Sequence, residues 1–286
     1  MFWLHCLLLG SALGVELDVG LSLNPVYLAE QYYHQRVGIP LAEKIRKAEL
    51  AGSNTTNTIT DESSLLKEYP FVGNMIIQLR SGSTSMCGGS LLTKTSVLTA
   101  AHCFLDGRDY GRNYTMVLGS MKLYSGGIRL TTNKTVLHEN YNRYTLDNDI
   151  ALLFLPNVTF NDVVAPIRLP WGSLLQSDLT GYSAQAIGFG LTENDGQFLN
   201  NVTFEVNSNE LCGRTYSNMN EAKMCASSAN GSTCFEGSGA PLVMTHEGQQ
   251  VLIGISSYVP RAVCPSKQPA VFTDVMDYIS WIAANA

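Results

Sequence analysis

Charge is scarce in this 286-residue chain: 15% of residues are Asp, Glu, Lys or Arg, against about 25% in an average globular protein. With 45% hydrophobic residues beside so little charge, a disordered acidic or basic chain is excluded, because that much apolar material does not stay in water. No run of five Lys or Arg occurs and the net charge is −6, so there is no electrostatic footprint for nucleic acid. Neither a CxxC nor an HxxxH pair is present, which removes the usual spacings of a zinc site. No G-x-S-x-G elbow occurs, and past the N-terminus no apolar run approaches the length of a membrane-spanning helix. With 25 Gly and 10 Pro, collagen-like and low-complexity classes also fall away.

What is present begins with an apolar opening. Phe2 to Leu13 has the length of a signal-peptide core and is too short to span a bilayer, and Ala12 and Gly14 put small residues at the −3 and −1 positions of a cut before Val15. Residues 1–14 are therefore expected to be a signal peptide, and the protein secreted and extracellular. No Lys or Arg lies near Met1, where His5 is the one residue that could add charge. Once Cys6 is removed, six cysteines remain: Cys87, Cys103, Cys212, Cys225, Cys234 and Cys264. An even count in a secreted chain reads as disulfides, for which the sequence alone allows fifteen pairings.

Residues 15–57 differ from the rest. Pro40 to Leu50 forms an amphipathic helix candidate, with Pro40 suited to a first helical position and Leu41, Ile45 and Ala48 on one face. The polar stretch Gly52 to Thr58 then reads as an exposed linker. Such an arm is either a propeptide or an N-terminal subdomain packed permanently on the body. From about residue 65 the chain is mostly short β-like runs, among them Phe71 to Leu79, Ser96 to Ala101, Asp149 to Leu155 and Gln249 to Val259. Turn residues bound them at the spacing of sandwiches or barrels. A helix closes the chain, capped by Asp274, with Val275, Tyr278, Ile279 and Ile282 on one face.

Three segments carry chemistry: Leu98-Thr-Ala-Ala-His102-Cys103, Asp147-Asn-Asp149-Ile-Ala-Leu-Leu153 and Cys234-Phe-Glu236-Gly-Ser238-Gly-Ala240-Pro-Leu242. His, Asp and Ser in that order, each in its own local context, resemble the chymotrypsin-like (S1) serine proteases from about residue 65 to the C-terminus. The segment Tyr33 to Leu41 is similar to the propeptides of lepidopteran midgut chymotrypsin-like proteins. The resemblance implies an all-β fold of two antiparallel six-stranded β-barrels with a C-terminal helix. It also implies a peptidase domain over 58–286, with barrel one about 58–172 and barrel two about 173–286. Ser238 would attack the scissile carbonyl, His102 would move the proton, and Asp149 would orient the imidazole. The bridges would be Cys87–Cys103, Cys212–Cys225 and Cys234–Cys264. No cofactor or metal is implied. The partners would be a peptide or protein substrate, with protease inhibitors or other proteases besides, and the protein would be a monomer without nucleic-acid or membrane partners. His138 is assigned to a surface turn, His246 to a place between strands and His34 to the N-terminal segment, none with a role.

Departures from the pattern are as informative. The expected activation junction, Asn57-Thr-Ile-Thr-Asp61, offers neither a basic residue nor an Ile-Val start, and Gly237 stands where the family has the Asp that receives the new ammonium. In the oxyanion hole, formed by the backbone of Glu236 and Ser238, Glu236 replaces a Gly, and Ala240 replaces another nearby. Ser232 matches the floor of the specificity pocket, while Val259 and Ala270 narrow its walls. Ser257, Tyr258 and Val259 offer backbone to an extended peptide. A narrow, uncharged pocket is implied, and with it either an endopeptidase of unusual activation or a catalytically impaired homologue that binds peptides or regulates true proteases. Six glycosylation sequons occur, at Asn54, Asn113, Asn133, Asn157, Asn201 and Asn230.

Overall fold

The structure, a computed structural model, describes residues 32–52, 62–189, 199–228, 237–258 and 268–286. It bears out the all-β expectation and adds an N-terminal helical arm that lies packed on the body. The arm starts with a π-helical turn, His34–Gly38, and continues as α1, Ile39–Gly52. Leu41, Ala42 and Ile45 of α1 are buried, as the three- and four-residue spacing requires. A short helix α2, Glu62–Glu68, occupies the point from which β structure was expected to begin.

The first sheet contains seven strands in the order β5-β4-β1-β2-β3-β7-β6. These are β1 Val72–Leu79, β2 Thr84–Leu91, β3 Ser96–Thr99, β4 Gly111–Leu118, β5 Ile128–Thr132, β6 Thr135–Leu137 and β7 Ala151–Phe154. Seven replaces six because the chain from Ile128 to Leu137 is broken at Asn133-Lys134, where the Lys134 N–H turns back to the Thr132 hydroxyl at 3.1 Å. The two edge strands are therefore one bent stretch of chain, pairing β4 before the break and β7 after it.

The second sheet is a closed six-stranded barrel, β10-β13-β12-β11-β8-β9. Its strands are β8 Ser183–Gly188, β9 Asn200–Val206, β10 Lys223–Ser228, β11 Pro241–His246, β12 Gln249–Tyr258 and β13 Ala270–Asp274. Closure leaves no strand edge unpaired, and Phe204, Leu242, Ile253 and Phe272 fill the interior. A further helix, α3 Asn209–Thr215, precedes β10. After β13 the Asp274 carboxylate accepts the Met276 N–H at 2.9 Å, capping a 3-10 turn that runs into α4, Ile279–Asn285. Val275, Tyr278 and Ile282 then join the core of the first sheet. The C-terminal helix thus straps the closed barrel onto the first sheet, which is an open half-barrel and not the closed barrel the resemblance implied.

Two of the implied bridges are formed, Cys87–Cys103 and Cys212–Cys225. The third, Cys234–Cys264, lies outside the described residues, as do residues 1–14 and the junction 57–61. Asn113, Asn133 and Asn157 are exposed and Asn201 is half-buried, whereas Asn54 and Asn230 lie outside the described residues. Among the described residues no helix is long and apolar enough to cross a membrane.

Candidate active site

His102 sits on a 3-10 turn, Ala101–Cys103, that begins where β3 ends. The Cys87–Cys103 bridge ties this turn to β2. From there His102 meets Asp149 twice: its backbone N–H donates to Oδ1 at 2.9 Å, and Nδ1 lies 2.8 Å from Oδ2. Two contacts to one carboxylate fix both the position of the residue and the rotation of its ring. Nε2, on the far side of the ring, lies 4.0 Å from Cys103 Sγ.

Asp149 is buried where the two sheets meet. The Ser257 hydroxyl, from β12, donates to its Oδ2 at 2.6 Å, and the Thr273 hydroxyl, from β13, donates to its backbone carbonyl at 2.9 Å. Burial alone would push the Asp149 carboxyl up. The adjacent His102 and the hydrogen bonds from His102 and Ser257 outweigh it, and the net direction is down. The residue is held as a carboxylate.

The approach to Asp149 is strained. Leu146 and Asn148 have φ of 53° and 55°, a region that non-glycine residues enter at a cost. Contacts from the second barrel and the C-terminal helix hold them there. Lys223 Nζ donates to Asp147 Oδ1 at 2.7 Å, Asn220 donates to the same oxygen at 3.0 Å, and the Tyr278 hydroxyl donates to Asn148 Oδ1 at 3.0 Å.

Ser238 is held against β2 by backbone packing. Its carbonyl accepts the Gly88 N–H of β2 at 2.7 Å, and the next N–H, of Gly239, donates to the Ser256 carbonyl at 2.8 Å. Gly239 has φ of +76°, and a Cβ there would strike the Thr99 hydroxyl and the Gly88 carbonyl. Only glycine allows the loop to lie this close to β2 and β3. Ala240 is fully buried against Gly88. Ser238 is thereby seated beside the strands and the bridge that carry His102.

The other expected residues divide. Ser257 is buried in β12, with its hydroxyl committed to Asp149. Tyr258 ends that strand and its hydroxyl donates to Asn218 at 3.0 Å. Ala270 is buried at the start of β13, paired with Ala226. Ser232, Glu236 and Val259 lie outside the described residues. Cys87, His102 and Cys103 have the spacing of a metal cluster, but the two sulfurs are bonded to each other, so no thiolate is available as a ligand.

Two contributions escaped the sequence reading. The first is the Ser257 hydroxyl, for which the signal was the Ser256-Ser257 pair following the apolar run Val251 to Ile255, since a buried hydroxyl needs a partner. The second is Tyr33-His34. Tyr33 lies edge-on to the His102 ring, with centroids 4.8 Å apart and planes at 68°. His34, given no role from sequence, is fully buried and lies 2.8 Å from the Ser85 hydroxyl through Nδ1. Of the other histidines, His138 packs against Tyr278 and Trp281, and His246 ends β11 against Trp171.

Comparison with known proteins gives a consistent neighbourhood. The family model described as Trypsin matches residues 67–282. Collagenase of Hypoderma lineatum is 32% identical over 220 residues, covering 76% of this chain and 82% of that protein. Serine protease 1 of Drosophila melanogaster is 36% identical over 204 residues, covering 70% and 75% respectively. A solved structure of HL collagenase superposes with a TM-score of 0.71 at 31% identity, covering 77% of this chain and 94% of that one.

Proposed function

The chain belongs to the trypsin family of serine proteases, whose substrates are peptides or proteins, and on that premise we propose that it is a secreted endopeptidase working through His102, Asp149 and Ser238. Ser238 Oγ attacks the scissile carbonyl and His102 Nε2 takes its proton. Asp149 keeps the Nδ1 proton on its own side and stabilises the imidazolium that forms. His102 then returns the proton to the departing amine, and a water molecule repeats the sequence to release the acyl group. The observation that carries this reading is the doubly bonded His102–Asp149 pair, with the carboxylate also accepting from Ser257. The backbone N–H groups of Glu236 and Ser238 would hold the oxyanion, where one lost donor costs about 10²–10³ in rate. Ser232 at the pocket floor, with Val259 and Ala270 at its walls, favours small uncharged side chains. Secretion is supported by the apolar opening of the sequence and by two disulfides, which persist in oxidising compartments.

A second reading, a catalytically impaired homologue, is favoured by Gly237 and Glu236 in the loop before Ser238. Hydrolysis of peptide p-nitroanilides with small aliphatic, aromatic or basic residues before the scissile bond separates the two. The wild-type chain should cleave small aliphatic substrates fastest, and Ser238→Ala should abolish cleavage. Fastest cleavage after Lys or Arg would refute the pocket assignment. Rates no higher than those of Ser238→Ala on every substrate, in a Tyr33→Ala chain that uncovers His102 as well as in the wild type, would favour the second reading.

A further inference from the structure

We propose that residues 33–49 form an intramolecular cover that closes His102 and must leave the face of β2 before a peptide can reach it. The inference rests on the reading of His102 as the catalytic base. His102 is only 1% exposed, and the Tyr33 ring packed on it is equally buried. The Tyr33 hydroxyl donates to the Met86 carbonyl at 2.6 Å, immediately before the Cys87–Cys103 bridge. β2 pairs with β3 only through Ser90 and Leu91, so the stretch at Ser85 and Met86 is an edge to which an extended peptide could add. Tyr33 and His34 occupy it. A peptide bond approaching His102 has to take the volume that Tyr33 fills.

The cover is held by a few specific contacts. The His34 N–H donates to Asp106 Oδ2 at 2.8 Å, and Gln35 donates to Asp109 at 3.2 Å. Further along α1, the Glu49 carboxylate accepts the Leu123 and Tyr124 N–H groups at 2.6 and 3.0 Å. Gly38 allows the closest approach, since a Cβ there would overlap the Ser85 hydroxyl and crowd the Tyr33 ring. All of these arm residues precede the family-matched region, which starts at residue 67. The arm is an addition to the protease domain.

His34 makes closure sensitive to pH. The titratable groups facing it are His102, Asp106 and Asp109, all from the chain between β3 and β4, while β2 contributes the uncharged Ser85 and Met86. Its Nε2 is buried without a hydrogen-bond partner among the described residues. A proton placed there would be an unpaired buried charge. Burial first, and then His102, push the His34 pKa down to about 3, against a smaller opposing pull from Asp109. With the arm released, His34 returns to about 6.5. Between those values the released state binds the proton and the docked state does not. Docking is therefore at full strength above about pH 6.5 and weakens as pH falls, by about tenfold between pH 7.5 and 5.5.

The test uses the full chain and two readouts that need no hydrolysis. Hydrogen exchange reports whether residues 33–49 are docked, and carbethoxylation by diethylpyrocarbonate, mapped by mass spectrometry, reports access to His102. In Gly38→Val, exchange of the arm amides should accelerate at least tenfold and His102 modification should rise at least tenfold, while β1–β4 amides keep their protection. Tyr33→Ala, which adds no bulk, should raise His102 modification in the same way. From pH 7.5 to 5.5, arm protection corrected for intrinsic exchange should fall about tenfold in the wild-type chain and stay level in His34→Asn. The cover is refuted if the arm is released in either variant and His102 modification does not change. It is refuted equally if wild-type arm amides exchange as fast as an unfolded peptide. Labelling of Ser238 by a fluorophosphonate reports separately on catalysis, so failure of the function and failure of the cover give different results.

Discussion

Two helical segments from opposite ends of the chain pack on the first sheet, and their contacts differ in kind. The C-terminal one follows β13 without a break. It buries Val275, Tyr278 and Ile282 in the core shared with β1–β7, and reaches the approach to Asp149 through the Tyr278 hydroxyl. The N-terminal arm buries Leu41, Ala42 and Ile45 in the same core. It spends its polar groups differently, on the Met86 carbonyl, the Ser85 hydroxyl, Asp106 and the N–H groups at 123 and 124. One helix braces the carboxylate of the candidate dyad from behind, and the other lies on its imidazole. Amphipathic spacing alone does not distinguish a structural brace from a cover; the polar contacts do.

The sharpest way to break that contrast is to truncate the same side chain in each. Ile282→Ala should lower the unfolding free energy of the whole chain by about 2–5 kcal/mol, because it opens a cavity in the shared core. Ile45→Ala, equally buried, should instead accelerate exchange of residues 33–52 and leave the main thermal transition almost in place. Equal losses in the main transition would mean that the arm is as integral as the C-terminal helix. Next in size is Glu49→Ala. It removes a carboxylate bonded to two backbone N–H groups and should destabilise docking of the arm by about 1.5–3 kcal/mol, read as faster exchange of its amides. Smallest is Tyr278→Phe, which keeps the ring but leaves Asn148 Oδ1 without this donor. A loss of about 0.5–1.5 kcal/mol in denaturant unfolding is expected, with a small drop in hydrolysis as Asp149 loses support. No change in either would remove the brace.

The sequence disclosed these two segments unequally. For the C-terminal helix, cap and spacing were both legible: Asp274 bonds the Met276 N–H, and Val275, Tyr278 and Ile282 are the residues that become buried. For the arm, Leu41 and Ile45 marked the buried face of α1 correctly. Nothing local could say which surface that face would meet. The arm packs on β2, more than thirty residues further along the chain, and Tyr33 meets His102 at a separation of sixty-nine. The strands show the same division. Apolar runs located β1, β3, β7 and β12 to within a residue or two, but the break at Asn133-Lys134 depends on one hydroxyl contact and left no apolar pattern. In the site, motif order found His102 and Asp149, which the structure joins by two contacts. The role of Ser257 became visible only once β12 had been laid against Asp149.

The most direct measurement is covalent labelling of the Gly38→Val chain, once hydrogen exchange has shown its arm released, by a fluorophosphonate, with the modified residue identified by mass spectrometry. A triad working on an accessible site predicts a single adduct on Ser238. That adduct should form faster than in the wild-type chain, be slowed about 10⁴-fold by Asp149→Asn, and be absent from Ser238→Ala. No adduct on Ser238 while His102 is demonstrably open to carbethoxylation, or an adduct formed equally fast after Asp149→Asn, would contradict the account.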